Sequence, residues 1–179
     1  MLIEHAKSQL LLVDLQERLM PAMAGGEAVV RQISILLQAA RQMSVPVLAS
    51  EQYPAGLGAT MTEIARQLSP GETLAKTEFS CYANPALRAR LEAAPVQIIL
   101  AGIEAHVCIL QTAIDLVAAG RDVFIIADAV TSRSSDSKAV ALQRLAGLGA
   151  TVVTTEMVLF EWLRRADRPE FKPLSRLIR

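Results

Sequence analysis

The sequence has little cysteine, little histidine and no excess of charge of either sign. Its 179 residues include two cysteines, two histidines, and 18 lysines and arginines against 18 aspartates and glutamates. Two cysteines, Cys81 and Cys108, do not form the dense disulfide framework of a small secreted domain. The balanced charge gives no basic surface of the kind that binds nucleic acid. We therefore expect a small-molecule ligand, no nucleic-acid partner and a reducing, cytoplasmic location.

Long apolar runs are also absent. No run reaches the length of a membrane-spanning helix. Residues 1–7 do not combine a basic region with a long apolar segment and a small-residue cleavage site. These absences predict a protein without a leader segment and without a membrane partner.

The apolar residues that are present follow an alternating pattern. They make up 52% of the chain, enough for the core of one domain that spans residues 1–179. Short apolar runs predict strands over residues 10–13, 45–49, 73–76, 96–101, 123–126 and 151–154. Longer patterns predict helices over about residues 28–43, 61–68, 85–93, 105–119, 136–147 and 156–165. This alternation predicts an α/β fold, a Rossmann-like three-layer α/β/α sandwich around a mostly parallel six-stranded sheet of order 3-2-1-4-5-6.

Local signals mark several element ends. Asn84 before Pro85 is typical of a helix N-cap followed by proline at the first helical position. Gly120 and Gly149 follow helical patterns, as expected of residues that end helices. Residues 53–60 contain proline and glycine, and we expect them to form the most mobile loop.

Three chemically capable side chains follow predicted strands. Asp14 follows the first strand, Lys76 ends the third, and Cys108 follows the fourth across a short turn. Ligands of open parallel sheets bind beyond the carboxyl ends of the strands. In the expected order the first and fourth strands are neighbours, so Asp14 faces Cys108 while Lys76 reaches in from farther away.

Cys108 is placed as a candidate nucleophile. It lies where the helical pattern of residues 105–119 opens, and the free N–H groups and dipole of a helix start favour a thiolate over a thiol. The same N–H groups are able to hold an oxyanion. Taken alone, each residue has an ordinary alternative: Cys108 as a buried apolar side chain, Asp14 as a cap, and Lys76 as a solvated charge.

Three short motifs occur in a fixed order along the chain. They are VDLQ at residues 13–16, AKTEFS at residues 75–80, and GIEAHVCI at residues 102–109. In this combination the chain resembles the isochorismatase-like cysteine hydrolases, which include nicotinamidases, over nearly its whole length. Residues 50–58 and 128–134 look most like the subgroup of isochorismatase-domain-containing proteins.

The resemblance implies a catalytic triad of Asp14, Lys76 and Cys108. By this reading the Cys108 thiolate attacks an electrophilic carbon, Asp14 is the general acid and base, and Lys76 supports both charges. The resemblance also implies a cis peptide bond between Ile103 and Glu104, with the N–H groups of Glu104 and Cys108 aimed at an oxyanion. It further implies dimers or larger homo-oligomers. We therefore expect a hydrolase that acts on a small molecule, with a C–N bond of the amide type as its target.

The segment after the second strand departs from the nicotinamidases. Those enzymes bind a divalent metal there with an aspartate and histidines, whereas residues 50–54 read SEQYP. The two histidines of the chain, His5 and His106, have no metal-ligand partner at useful spacing. We therefore expect no metal and no cofactor, and we take Gln52 and Tyr53 as candidates for substrate binding.

Other residues and functions have weaker support. Cys81 is expected to be buried and structural, and His106 to lie on a different helix face from Cys108. Asp128 is expected to end the fifth strand and to cap the helix after it, and Trp162 to lie in the core or a subunit contact. The turn after the first strand lacks a Gly-x-Gly-x-x-Gly loop, so a nucleotide-binding function is a poor fit. A binding or interaction protein that keeps the fold without turnover stays open.

Overall fold

Six strands form one sheet in the computed structural model of the protein, which describes residues 1–178. In chain order the strands are β1 (Ser8–Val13), β2 (Val47–Gln52), β3 (Thr73–Lys76), β4 (Gln97–Ile103), β5 (Asp122–Thr131) and β6 (Thr151–Val153). Across the sheet their order is β3-β2-β1-β4-β5-β6. All five neighbouring pairs are parallel. The predicted sheet and its strand order are confirmed.

Helices cover both faces of this sheet. Within residues 1–178 they are α1 (Gly26–Gln42), α2 (Pro54–Leu57), α3 (Thr62–Ala65), α4 (Pro85–Glu92), α5 (Leu110–Ala118), α6 (Ser135–Gly147), α7 (Thr155–Leu163) and α8 (Phe171–Ser175). One turn of π-helix, Ala105–Ile109, leads into α5. None of the described helices is long and apolar enough to span a membrane.

The central strand β1 shows how the two faces are filled. Leu10 and Leu12 pack into the core under α1 and α7, whereas Leu11 and Val13 pack into the core under α4, α5 and α6. All six residues of β1 are buried. A strand covered on both faces has no solvent-facing positions, so its sequence is a continuous apolar run rather than an alternating one. The three-layer arrangement is therefore confirmed.

The predicted helix ends are also confirmed. Asn84 accepts hydrogen bonds from the N–H groups of Ala86 and Leu87, both at 3.1 Å, at the start of α4. Gly120 follows α5 with a φ of 77°, and Gly149 follows α6 with a φ of 98°. Both values lie in the left-handed region that glycine adopts at little cost.

Two elements differ in length from the prediction. Helix α3 is shorter than predicted, and β5 continues through Thr131. Asp128 does not end β5, because Val130 and Thr131 still pair with Gly102 and Ile103 of β4. The Oδ1 of Asp128 accepts hydrogen bonds from the N–H and hydroxyl of Thr155 at 2.9 and 3.0 Å. The helix that follows β5 is capped instead by Ser134, whose hydroxyl accepts from the N–H of Ser137. The assignment of Asp128 as the cap of that helix was therefore wrong.

The proline- and glycine-containing segment after β2 is tied down by Gln16. Gln16 is fully buried. Its Nε2 donates to the carbonyls of Gln52 and Gly58 at 3.0 and 2.6 Å, and its Oε1 accepts from the N–H of Gln52 at 2.7 Å. Helix α2 forms inside this segment. One side chain from the end of β1 thus holds both ends of the segment.

Candidate active site

The three predicted site residues meet at the carboxyl edge of the sheet. Asp14 follows β1, Lys76 is the last residue of β3, and Cys108 lies in the π-helical turn after β4. Val13 pairs with Ser50 on one side and with Gly102 on the other, so the end of β1 lies between the ends of β2 and β4. The parallel sheet therefore brings together residues that are far apart in the sequence.

Asp14 and Lys76 form a buried ion pair. The Nζ of Lys76 is 2.7 Å from Oδ2 of Asp14, and the side chains are 0% and 1% exposed. Burial is the largest single influence and lowers the pKa of Lys76, but the charge and hydrogen bond of Asp14 together with the charges of Cys81 and Cys108 raise the pKa overall. Removing either partner would leave an uncompensated charge in the interior, which proteins tolerate poorly.

Lys76 also has a neutral partner. Its Nζ donates to Oε1 of Gln52 at 2.5 Å, and Nε2 of Gln52 donates to the carbonyl of Thr77 at 2.9 Å. Gln52 therefore orients the Lys76 side chain from the end of β2, the strand that lies between β3 and β1.

The backbone at the ends of β1 and β4 is specialised for close approach. A Cβ on Gly102 would lie 2.6 Å from the backbone N of Val13, and Gly102 has a φ of 122°. Only glycine fits there, because any side chain would push β4 away from β1. Asp14 itself has a φ of 56°, a left-handed conformation that aspartate adopts more readily than most residues.

Cys108 is a buried thiol beside a carboxylate. It is 6% exposed. Burial raises its pKa most, the charge and hydrogen bond of Asp14 raise it further, and Lys76 lowers it. The net direction is upward, which favours the thiol over the thiolate. A helix start favours the thiolate, and at Cys108 burial and the carboxylate act against it.

The turn before Cys108 is anchored to the end of β5. The peptide bond between Ile103 and Glu104 is cis. The Oε2 of Glu104 accepts hydrogen bonds from the backbone N–H and the Nε of Arg133, both at 3.0 Å. The Nδ1 of His106 lies 2.9 Å from the hydroxyl of Ser132. His106 is therefore engaged with the segment after β5.

A family model and curated relatives match nearly the whole chain. The isochorismatase domain family matches residues 8–157. The chain belongs to the isochorismatase family. Isochorismatase domain-containing protein 1 of Danio rerio is 39% identical over 183 residues, covering 99% of this chain and 62% of that protein. Protein 2 of the same fish is 41% identical over 173 residues, covering 96% and 86%. This chain thus spans 62% of the length of the first relative.

Solved structures of the isochorismatase fold superpose closely. A structure described as the Mar1 ribonuclease of Caenorhabditis elegans has a TM-score of 0.93 at 34% identity and covers 99% of this chain and 92% of its own. YcaC of Escherichia coli, described as an octameric hydrolase of unknown specificity, has a TM-score of 0.93 at 22% identity, covering 99% and 89%. At 22% identity the second likeness shows the shared fold.

Gln52 and Tyr53 occupy different positions relative to the cluster of Asp14, Lys76 and Cys108. Gln52 lies inside it, bonded to Lys76. The backbone N–H of Tyr53 donates to the carbonyl of Lys76 at 2.8 Å, while the residue is 56% exposed. Tyr53 therefore lies on the rim of the cluster.

Two residues at the site were not predicted. Ser50 donates a hydrogen bond to Oδ1 of Asp14 at 2.7 Å, and the Sγ of Cys81 donates to the hydroxyl of Ser50 at 3.4 Å. Cys81 is fully buried, as expected, and burial raises its pKa to about 11. The position of Ser50 at the end of β2 was the only sign that it would lie at the site, and nothing in the sequence pattern placed Cys81 there.

Metal ligands do not gather at this edge. Among residues 1–178, no group of three or more histidine, cysteine, aspartate or glutamate side chains is arranged to hold a metal ion. The chemistry available from the described residues is that of a thiol, a carboxylate and a lysine.

Proposed function

We propose that this protein is a cysteine-dependent hydrolase that cleaves a C–N bond of the amide type in a small molecule. The observation that carries the proposal is the buried cluster in which a thiol lies beside a carboxylate held by a lysine. A thiol with a raised pKa needs a base within hydrogen-bond reach to act as a nucleophile. Asp14 supplies that base to Cys108, and membership of the isochorismatase family supports hydrolysis.

The proposed reaction has two stages. The Sγ proton of Cys108 passes to Asp14 while the sulfur bonds to the carbonyl carbon, and the N–H groups of Glu104 and Cys108 hold the oxyanion. The C–N bond then breaks, Asp14 gives its proton to the leaving amine, and a thioester remains on Cys108. A water molecule next loses a proton to Asp14 and attacks the thioester. The acid leaves as the proton returns to sulfur.

Lys76 has a supporting part in this proposal. Its ammonium group lies 2.7 Å from Oδ2 of Asp14, and it lowers the pKa of Cys108. A buried cation beside both groups stabilises the negative charge as it moves from the carboxylate to the sulfur. Gln52 holds the lysine, and Gln52 and Tyr53 are the proposed substrate-binding residues.

RNA is a second candidate substrate, because the Caenorhabditis elegans relative is described as a ribonuclease. Proteins that bind single-stranded RNA combine a positively charged groove with stacked aromatic side chains. This chain has equal numbers of basic and acidic residues, and its aromatic content is 4%. Its nucleophile is 6% exposed at the end of a sheet. These features favour a small substrate.

We also propose a homo-oligomer in a cytoplasmic compartment. Large apolar side chains are exposed on α6 (Val140, 64%), directly after it (Leu148, 48%) and on α7 (Phe160, 44%), and such side chains are commonly covered in assemblies. Both cysteines are free thiols, as expected in a reducing compartment. Light scattering at micromolar concentration should give the mass of a dimer or larger species, and a monomer mass would reject the assembly.

The decisive experiment is turnover of a panel of primary and secondary amides, measured as amine release together with intact-mass detection of an acyl-enzyme. We expect amine release from at least one amide and an adduct that maps to Cys108. Cys108→Ala should lower the rate by at least about 10³-fold, because it removes the nucleophile. Asp14→Asn should also be inactive, whereas Glu156→Gln, a carboxylate exposed on α7, is the matched control.

Three outcomes would count against the proposal. Turnover that survives in Cys108→Ala, or an adduct on Cys81, would assign the chemistry to another residue. Amides that bind without release of amine would favour a binding protein that keeps the fold. Cleavage of RNA in place of amides would favour the second candidate substrate.

A further inference from the structure

Each oxygen of the Asp14 carboxylate is held by a different donor. Oδ2 accepts from Lys76 at 2.7 Å, and Oδ1 accepts from the hydroxyl of Ser50, also at 2.7 Å. Ser50 is 1% exposed. The N–H of Asp14 also donates to the carbonyl of Ser50 at 3.0 Å. Ser50 is therefore bonded to Asp14 through both its backbone and its side chain.

Cys81 sets the direction of the Ser50 hydroxyl. The Sγ of Cys81 donates to Oγ of Ser50 at 3.4 Å, and the N–H of Cys81 donates to the hydroxyl of Thr112 on α5 at 2.9 Å. A serine hydroxyl has a single proton. That proton points to Asp14, because the carboxylate only accepts, and the Cys81 thiol, which donates to the same oxygen, leaves no competing acceptor for it. Burial keeps Cys81 a thiol, and hence a donor, at neutral pH, since its pKa is raised to about 11.

This arrangement affects how Asp14 acts on Cys108. A carboxylate held at both oxygens cannot rotate, so the lone pair that it presents to the thiol keeps one direction. The hydroxyl also neutralises part of the carboxylate charge in an environment where charges are weakly screened. Without the hydroxyl, Asp14 would repel a Cys108 thiolate more strongly.

We propose that Ser50 is a positioning residue that holds Asp14 toward Cys108 and tempers its charge, with Cys81 fixing the direction of the Ser50 hydroxyl. This inference rests on the proposed roles of Asp14 and Cys108. Ser50 does not touch the reacting atoms in this proposal. Its effect is transmitted through the carboxylate.

The test follows alkylation of Cys108 by iodoacetamide as a function of pH, by intact mass and peptide mapping. In this reaction the sulfur displaces iodide, forms a C–S bond and gives its proton to Asp14 and then to the buffer. Ser50→Ala should move the alkylation midpoint to higher pH and lower the rate at about pH 8 by about three- to tenfold, the effect of losing one typical hydrogen bond. Ser8→Ala, a fully buried serine at the opposite end of the sheet, is the matched control and should keep the wild-type profile.

A double-variant comparison separates this role from simple loss of packing. In an Asp14→Asn background, Ser50→Ala should have no further effect on the alkylation profile, because Ser50 acts through the carboxylate. Cys81→Ala should shift the midpoint in the same direction as Ser50→Ala but less, and it serves as the test if Ser50→Ala does not fold.

Two results would overturn the inference alone. The first is an alkylation profile of Ser50→Ala that matches the wild type, or of Cys81→Ala if Ser50→Ala does not fold. The second is a midpoint shift caused by Ser50→Ala that persists in the Asp14→Asn background. A different result would overturn the proposed function as well. If native wild-type protein is not alkylated at Cys108 at any pH, while urea-unfolded protein is, then Cys108 is not a working nucleophile.

Discussion

Two buried serines at opposite ends of the sheet have the same number of partners but different surroundings. Ser8 at the start of β1 donates to the carbonyl of Glu4 at 2.8 Å and accepts from the indole of Trp162 at 3.1 Å. Ser50 at the end of β2 donates to Asp14 at 2.7 Å and accepts from Cys81 at 3.4 Å. The partners of Ser8 are neutral, whereas those of Ser50 gain or lose protons. The same side chain therefore serves stability at one end of the sheet and, in the proposed reaction, supports proton movement at the other.

The amino-terminal end of the sheet is joined by further neutral hydrogen bonds. The side chain of Gln97 accepts from the N–H of Glu4 at 2.7 Å and donates to the carbonyl of Leu2 at 3.1 Å. Trp162 is fully buried against this region, in the core as expected. Such bonds stabilise modestly and cost most when one partner is left unpaired. The carboxyl-terminal end instead contains a buried ion pair, which contributes little net stability but is costly to break.

The largest effect on stability is expected from breaking that ion pair. Lys76→Met should lower the free energy of unfolding by about 3–5 kcal/mol, because Asp14 would be left as an unpaired buried charge. The double variant with Asp14→Asn should recover part of the loss. Urea unfolding monitored by circular dichroism measures both. A Lys76→Met variant as stable as the wild type would mean that the pair does not persist in solution.

A smaller effect is expected from each serine. Ser8→Ala and Ser50→Ala should each lower the free energy of unfolding by about 1–3 kcal/mol, since each leaves a buried polar group unpaired. Only Ser50→Ala should also change the pH profile of Cys108 alkylation. Equal effects of the two variants on alkylation would remove the distinction between the two ends of the sheet.

The most gradual effect is a loss of stability at alkaline pH. In the folded protein the pKa of Cys81 is raised to about 11, whereas an unfolded cysteine ionises near pH 8.5. The native state then holds a proton that the unfolded state releases, so this contribution is complete below about pH 8.5 and is lost between there and about pH 11. In this range the free energy of unfolding should fall by up to about 1.4 kcal/mol per pH unit because of this one group.

Two further groups act in the same direction. The raised pKa of Cys108 adds to the loss of stability with rising pH, and the raised pKa of Lys76 adds to this loss at higher pH. Urea titrations from about pH 7 to 10 should therefore show a shallower decline in Cys81→Ala than in the wild type, whereas Ser8→Ala should shift the curve without changing its slope. An unchanged slope in Cys81→Ala would show that this thiol does not resist ionisation.

The sequence was sufficient for the parts of the site that depend on strand ends. Asp14 and Lys76 follow recognisable strands, and a parallel sheet brings such ends to one edge. Ser50 was not recognised as a site residue, because its contact with Asp14 depends on the register of β1 against β2. The sequence predicts Cys81 only as a buried thiol, because its contact with Ser50 depends on the path of the chain after β3.

The protonation state of Cys108 shows a different limit. A helix start is visible in the sequence and favours a thiolate, but the 6% exposure and the adjacent carboxylate are properties of the folded chain. The length of β5 likewise depends on contacts that form only in the folded chain. Asp128 interrupts an apolar run and so suggests a strand end, yet Thr155 at the start of α7 binds its carboxylate and the strand continues.

The order in which the site residues occur along the chain has a consequence for folding during synthesis. Ser50 lies 36 residues and Lys76 62 residues from Asp14, so two long loops must close before the carboxylate has both of its partners. All three residues lie in or directly after the first three strands and leave the ribosome before Cys108. The proposed acid–base half of the site is thus synthesised first, and the thiol arrives last. A chain that stops short of Cys108 carries the proposed base without the proposed nucleophile.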